Sequence, residues 1–316
     1  MAPPPLVSVV IPVFNGARYL GEAIGSALAQ DHPRFEVIVV DDGSDDGGAT
    51  AEVAASFGGR IRYVRQENGG VASALNRGLR EMRGEYFSWL SHDDAYLPGK
   101  LSRQSSEMER LGPGVVLFSD YEGVDADGRP AGGFRWRDVP PECFRRALVA
   151  DAPVNGCTVL VSRADLEQAG GFDERLRTTQ DTDLWFRLAA RRRFVHVPVP
   201  LLRSRVHPGQ GTRSMAARCA SEGESLHLRL LGTLAAEEGG RRSFEAFLLY
   251  AAVRLEQRGY PGAARAAYAM HGERARAAGG IRGFSREGRA LLVRALDRRP
   301  FRRFVAERLR ECAYSS

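Results

Sequence analysis

Apolar residues in the first third of the chain gather in short dense runs, and the segments between them repeat at helical spacing. Residues 6–13 (LVSVVIPV) and 35–40 (FEVIVV) are near-continuous β-branched runs. Runs of this kind suit parallel strands covered on both faces. Residues 61–64, 86–90 (YFSWL) and 115–118 (VVLF) predict three further strands. Between the first two, Tyr19, Leu20, Ala23, Ile24, Ala27 and Leu28 share one helical face. Ala72, Leu75 and Leu79 predict a helix over 71–81, and Pro98 marks the first turn of another over 100–111. This alternation predicts a mostly parallel, doubly wound α/β sheet with ligands at the C-terminal strand edges.

The section from about 120 to 210 is richer in glycine, proline and turn residues, with one good helix near 183–190. From about 215 onward Ala, Leu and Arg recur at helical spacing, as in Phe244, Phe247, Leu248 and Val253. The expected division is a first domain over 1–213 and a helical C-terminal region over 214–316.

Four constellations could carry chemistry. Asp41-Asp42-Gly43-Ser44 follows the 35–40 strand; paired acids there can accept from a base N–H or ribose hydroxyls, or form an ordinary Asx turn and N-cap. His92-Asp93-Asp94 follows the 86–90 strand. Adjacent carboxylates repel unless a cation or strong donors neutralise them, which fits Mg²⁺ or Mn²⁺ on a diphosphate; helix capping ahead of Pro98 is the plainer account. Asp181, in Gln180-Asp181-Thr182-Asp183, is either a general base or a first-turn acid that complements the helix dipole. His207, beside Pro208-Gly209, is a metal or phosphate ligand or an exposed turn residue. No GxGxxG, Walker, HExxH or GxSxG pattern is present, which removes support for hydride transfer, P-loop hydrolysis, zincin chemistry and serine hydrolysis.

Composition adds limits. With 316 residues and 43% hydrophobic content, the chain can bury one sizeable core plus an appendage. Lys100 is the only lysine among 45 basic residues, and the net charge is +6. A GC-rich coding sequence explains most of that arginine; attraction to anionic phosphate, lipid or glycan is the functional reading. Nothing in the pattern points to nucleic acid. Cys143, Cys157, Cys219 and Cys312 have no metal-ligand spacing and read as thiols in a reducing compartment. No apolar run reaches the ~18 residues of a membrane span and no signal peptide opens the chain, so the expected location is cytoplasmic. Basic and apolar residues mix over 298–310, which could place a helix on anionic lipid at the inner face of a membrane, or pack it on its own domain or on a second subunit.

Taken in order, the segments resemble the family 2 glycosyltransferases, which have the GT-A fold. The resemblance covers about 1–213 and runs through Val7 to Asn15, Val39 to Ser44, Asn68-Gly69-Gly70-Val71-Ala72 and Trp89 to Asp94. It continues through Gly170 to Glu174, Gln180 to Trp185, and Arg205 to Gly209. It implies a nucleotide-binding part over 1–118 and an acceptor-side part over 119–213. Within that frame Pro12, Phe14 and Asn15 lie at the nucleotide, with Phe14 packing on the base; Asp41 is the base-binding acid, with Asp42 beside it. Asn68, Gly69 and Gly70 lie near ribose and diphosphate, Asp93, Asp94 and His207 hold Mn²⁺ or Mg²⁺, and Asp181 is the catalytic base. The implied reaction is inverting transfer of a sugar from a nucleotide diphosphate to a hydroxyl of a glycan or lipid-linked acceptor. Uracil is the usual base, with thymine and guanine left open. Two positions depart from the pattern: Ser91 replaces the first acid of the metal motif, and Gln180 replaces a glutamate before the base. These keep open a catalytically silent sugar-nucleotide-binding or scaffold homologue. A sugar-phosphate nucleotidyltransferase fits less well, because 14–18 (FNGAR) is not a triphosphate loop.

Overall fold

The structure is a computed structural model and describes residues 3–238, 242–277, 310 and 313–314. In chain order, its first unit contains β1 (Val7–Val13), α1 (Ala17–Leu28), β2 (Phe35–Asp41), α2 (Ala49–Ala55), β3 (Arg62–Arg65), α3 (Val71–Glu81), β4 (Tyr86–Trp89) and β5 (Ala95–Tyr96). These are followed by α4 (Lys100–Leu111), β6 (Val115–Val124) and β7 (Pro130–Phe134). The chain then passes through α5 (Phe144–Ala150) and returns with β8 (Leu160–Ser162), α6 (Arg163–Gln168), α7 (Gln180–Leu188), β9 (Arg193–Arg205) and α8 (Gly211–Ser214). The remaining helices are α9 (Ala216–Glu238), α10 (Arg242–Gln257) and α11 (Pro261–Ala277).

Among the described residues the sheet runs β3-β2-β1-β4-β8-β6-β9-β5, with β7 paired to β6. Pairings β1/β2, β1/β4, β2/β3 and β6/β9 are parallel, while β8 runs antiparallel to both β4 and β6. The sheet is therefore mixed, and β1, β2, β3, β4, β6 and β9 share one direction. Every residue of β1 is buried, as expected for a strand with neighbours on both sides. Pro12 fits inside this central strand because β4 pairs only with Val7 to Val10, so no ladder bond is lost on that side. β9 carries Pro198 and Pro200, and the β6/β9 register shifts around Ser119 to Tyr121 to accommodate them.

The chain splits into two compact units, 1–138 with 153–215, and 139–152 with 216–316. The helical unit thus also takes in α5, from the middle of the stretch expected to be the acceptor-side part. Buried polar contacts within that unit explain the assignment. Arg146, 2% exposed, donates to Glu238 at 2.9 Å. Asp151 accepts from Tyr250 at 2.7 Å, Arg254 at 2.8 Å and Tyr314 at 2.9 Å. No helix among the described residues is long and apolar enough to cross a membrane. Apart from Arg310, the basic stretch 298–310 lies outside the described residues.

Candidate functional site

The shared strand direction brings the C-terminal ends of β1, β2, β3, β4 and β9 to one edge. At the end of β2, Asp41 has 0% exposure. One of its oxygens accepts from the Ser44 backbone N–H at 2.8 Å and the other from the Tyr63 hydroxyl. Burial first, then this bond to Asp41, raises the Tyr63 phenol above its usual range. Asp41 therefore shapes the turn and offers no exposed oxygen of its own. Asp42 faces the neighbouring loop: it accepts from Gln66 Nε2 at 2.7 Å, Gly69 N–H at 2.9 Å and Gly70 N–H at 2.7 Å. Gly43, at φ +77°, lets the Asn68 backbone approach where a Cβ would lie 2.8 Å from its nitrogen.

Asn15 adopts φ +50°, a conformation that Asn tolerates better than most residues. It exchanges two bonds with Asp45, at 2.6 and 2.9 Å, and so ties the loop after β1 to the loop after β2. Beside it Phe14 is 43% exposed, a large aromatic presented at the sheet edge. Gly16 packs against the His92 ring, and His92 also bonds the Pro12 carbonyl. Burial pushes the His92 imidazole below its usual pKa.

In the loop after β4, Asp93 Oδ2 stands 3.0 Å from His207 Nε2, which arrives from the loop after β9. Asp94 is turned differently: its Oδ1 accepts the Arg205 backbone N–H at 2.8 Å, and the Ser204 and Cys157 side chains also bond to it. Burial, followed by the adjacent Asp93 charge, pushes Asp94 up to about 7. Among the described residues no group of three or more His, Cys, Asp or Glu side chains forms a ready metal cage. The donor set nevertheless fits a hard divalent ion. The Asp93–His207 separation of 3.0 Å matches neighbouring ligands on an octahedral ion with bonds of about 2.1 Å. The adjacent carboxylates repel each other, and a cation held there would offset that repulsion.

Arg205 was visible in the sequence only as part of a motif, yet it organises this loop. It is 3% exposed, and its guanidinium donates to the carbonyls of Asp93 at 3.0 Å, Asp125 at 3.3 Å and Ala126 at 3.4 Å, and to the Glu22 carboxylate. It also lies 4.7 Å from the centre of the Tyr19 ring, which packs 5.0 Å from the His207 ring. Sequence spacing could not reveal these partners, since most are distant backbone carbonyls.

Asp181 is half-buried in the first turn of α7, where its Oδ1 accepts the Thr182 N–H at 2.7 Å. The segment before it is pinned across α3: Asn76 bonds Phe172 N–H at 2.9 Å and Phe172 C=O at 2.8 Å. Arg177 then donates to the Gly69 carbonyl. Arg177 precedes Asp181 by four residues, so their Cα atoms are within about 14 Å. Asp181 thus follows a segment that Arg177 ties to the loop that Asp42 organises. Gln180 is 5% exposed, and its Oε1 is buried with no hydrogen-bond partner among the described residues.

The family model for glycosyl transferase family 2 matches residues 8–159. An uncharacterized glycosyltransferase of Rickettsia prowazekii is 38% identical over 275 residues, 84% of this chain and 85% of that protein. Another, from Rickettsia felis, is 41% identical over 218 residues, 67% of this chain. The chain spans only 36% of that longer relative. Among solved structures, S. aureus TarS in complex with UDP-GlcNAc is similar over 86% of this chain and 83% of that one, with a TM-score of 0.63 and 20% identity. That likeness shows a shared GT-A fold.

Proposed function

The chain belongs to glycosyl transferase family 2, and from that premise we propose that it is an inverting transferase moving a sugar from a UDP-sugar to a hydroxyl of a glycan or lipid-linked acceptor. The observation that carries this reading is the meeting of Asp93 and His207 at 3.0 Å, on the strand edge shared with the Asp42-organised loop. A buried acid facing a half-buried imidazole, backed by a second carboxylate, suits a diphosphate-bound cation better than it suits a water-exposed surface. The UDP-GlcNAc complex of the TarS neighbour supports UDP as the carrier.

In this reading Phe14 packs on the base, while Pro12, Asn15, Asp41 and Asp42 shape the wall around it. Asn68, Gly69 and Gly70 line the ribose and diphosphate, with the loop's backbone held by Asp42. Asp93 and His207 would hold Mn²⁺ or Mg²⁺, with Asp94 as a further ligand if it turns from Arg205. The ion would neutralise charge growing on the leaving diphosphate. Asp181 accepts the proton of the acceptor hydroxyl as its oxygen attacks the anomeric carbon from the face opposite the diphosphate. The bond to the diphosphate breaks as the new glycosidic bond forms, and its electron pair leaves with UDP.

A turnover and binding screen of UDP-, TDP- and GDP-sugars, with Mn²⁺, with Mg²⁺ and with chelator, tests the reading. UDP release dependent on a divalent ion is the expected result. Turnover undiminished in chelator would remove the cation from the account, and preference for another base would remove uracil.

A further inference from the structure

Lys100 is the only lysine among 45 basic residues, and it is fully buried. It opens α4, and its Nζ reaches three acceptors: Ser88 Oγ at 2.8 Å, Gln104 Oε1 at 2.8 Å and the Val159 carbonyl at 3.5 Å. It also lies 4.3 Å from the centre of the Tyr96 ring. Three acceptors converging on one nitrogen match an amine or ammonium group. A guanidinium spreads its donors in a planar fork and keeps its charge, so arginine does not fit this place. That accounts for a lysine surviving in a chain that otherwise uses arginine throughout. Burial pushes the amine down to about 7, so the site also tolerates the neutral form.

Two of the residues it touches, Ser88 and Tyr96, flank the loop that bears Asp93 and Asp94. Ser88 is the next-to-last residue of β4 and Tyr96 the second of the two residues of β5. Their hydroxyls are 2.7 Å apart, and Tyr96 also donates to the Trp89 carbonyl at 2.8 Å. Gln104, the second acceptor, donates onward to the Thr158 carbonyl at 2.7 Å. The adjacent Cys157 accepts the Ser91 N–H at 3.2 Å from inside the loop. Lys100 therefore links the neck of the loop to the turn that braces Ser91.

We propose that Lys100 is a positioning residue for the donor site: its amine locks the Ser88–Tyr96 neck so that the loop presents Asp93 to His207. The assignment rests on the proposed role of that loop, but the locking itself can be read without ligand. Hydrogen exchange of the full chain, with no nucleotide or metal, is compared for wild type, Lys100→Met, Lys100→Arg and Tyr96→Phe. Amides over 90–95 should exchange roughly tenfold faster or more in all three variants, while those of β1 and β2 keep wild-type rates. In parallel, UDP affinity in Mn²⁺ should fall roughly tenfold while affinity in chelator is kept, a split that general destabilisation does not produce. Unchanged exchange over 90–95 in Lys100→Met overturns the proposal; should that variant not fold, unchanged exchange in Tyr96→Phe does so. Arginine matching wild type in both readouts also overturns it. A wild-type protein that does not bind UDP with Mn²⁺ overturns the donor reading instead, and the exchange result still decides the role of Lys100.

Discussion

Replacing Asp42 with alanine removes the acceptor of three hydrogen bonds, two of them from the backbone of Gly69 and Gly70. Bonds to a charged acceptor are worth about 1.5–3 kcal/mol each. Asp42 is only 4% exposed, but Gly69 and Gly70 are half-buried and regain some water when the carboxylate is lost. The low end applies to those two, about 3 kcal/mol together, and the Gln66 bond adds about 1.5, so the expected loss is about 4.5 kcal/mol. An asparagine at this position keeps one acceptor but turns an amide toward the donors, so Asp42→Asn should lose about 2 kcal/mol. Guanidinium unfolding read by tryptophan fluorescence is a suitable assay, because Trp89, Trp136 and Trp185 all lie in the first unit. UDP affinity should fall in both variants, since Asp42 holds the loop proposed to carry ribose and diphosphate. An alanine variant within about 0.5 kcal/mol of wild type, the range of ordinary surface changes, would refute the idea that this carboxylate holds the loop.

Arg205→Met strips a buried guanidinium from the Asp93 carbonyl and the Glu22 carboxylate, and should cost about 3 kcal/mol in the same unfolding assay; stability equal to wild type would contradict its role as organiser. Gly156→Ala drives a Cβ into the Trp89 ring and should lose about 1–3 kcal/mol, visible as a shifted tryptophan emission and a lower denaturant midpoint. His207→Ala should abolish the gain in UDP affinity from Mn²⁺ while leaving affinity in chelator unchanged, as measured by calorimetry; a retained Mn²⁺ effect would displace His207 from the metal. Burial pushes folded Lys100 down to about 7, whereas an unfolded lysine holds its proton to about 10.4. The unfolded chain thus binds more protons between those values, so wild-type stability should rise with pH relative to Lys100→Met from about pH 7 to 9, by at most about 1.4 kcal/mol per unit. A flat difference would show that the amine is not held neutral.

The strands and helices with strong periodicity were legible because burial dictates them. Helices α3 and α4 fall on the expected 71–81 and 100–111, and β1 and β2 coincide with the β-branched runs. β9 was missed because Pro198 and Pro200 argue against a strand, while a shifted register lets β6 pair around them. α2 was missed because Ala49–Ala55 is short and follows two glycines. The membership of α5 in the second unit had no local signal, since it depends on contacts from Arg146 and Asp151 to residues far along the chain. At the candidate site the acids stood out by type and position. Their division of labour did not: Asp42 faces the glycine loop, Asp94 faces Arg205, and Arg205 and Lys100 act behind them through tertiary partners.

The central claim is that a carboxylate on α7 takes the acceptor's proton at a nucleotide-sugar site. Single-turnover transfer from the UDP-sugar found by the donor screen, compared for wild type and Asp181→Asn at matched nucleotide saturation, tests it most directly. Loss of a general base predicts a rate lower by about 10²- to 10⁴-fold with UDP affinity nearly unchanged. A rate within a few-fold of wild type would contradict the account.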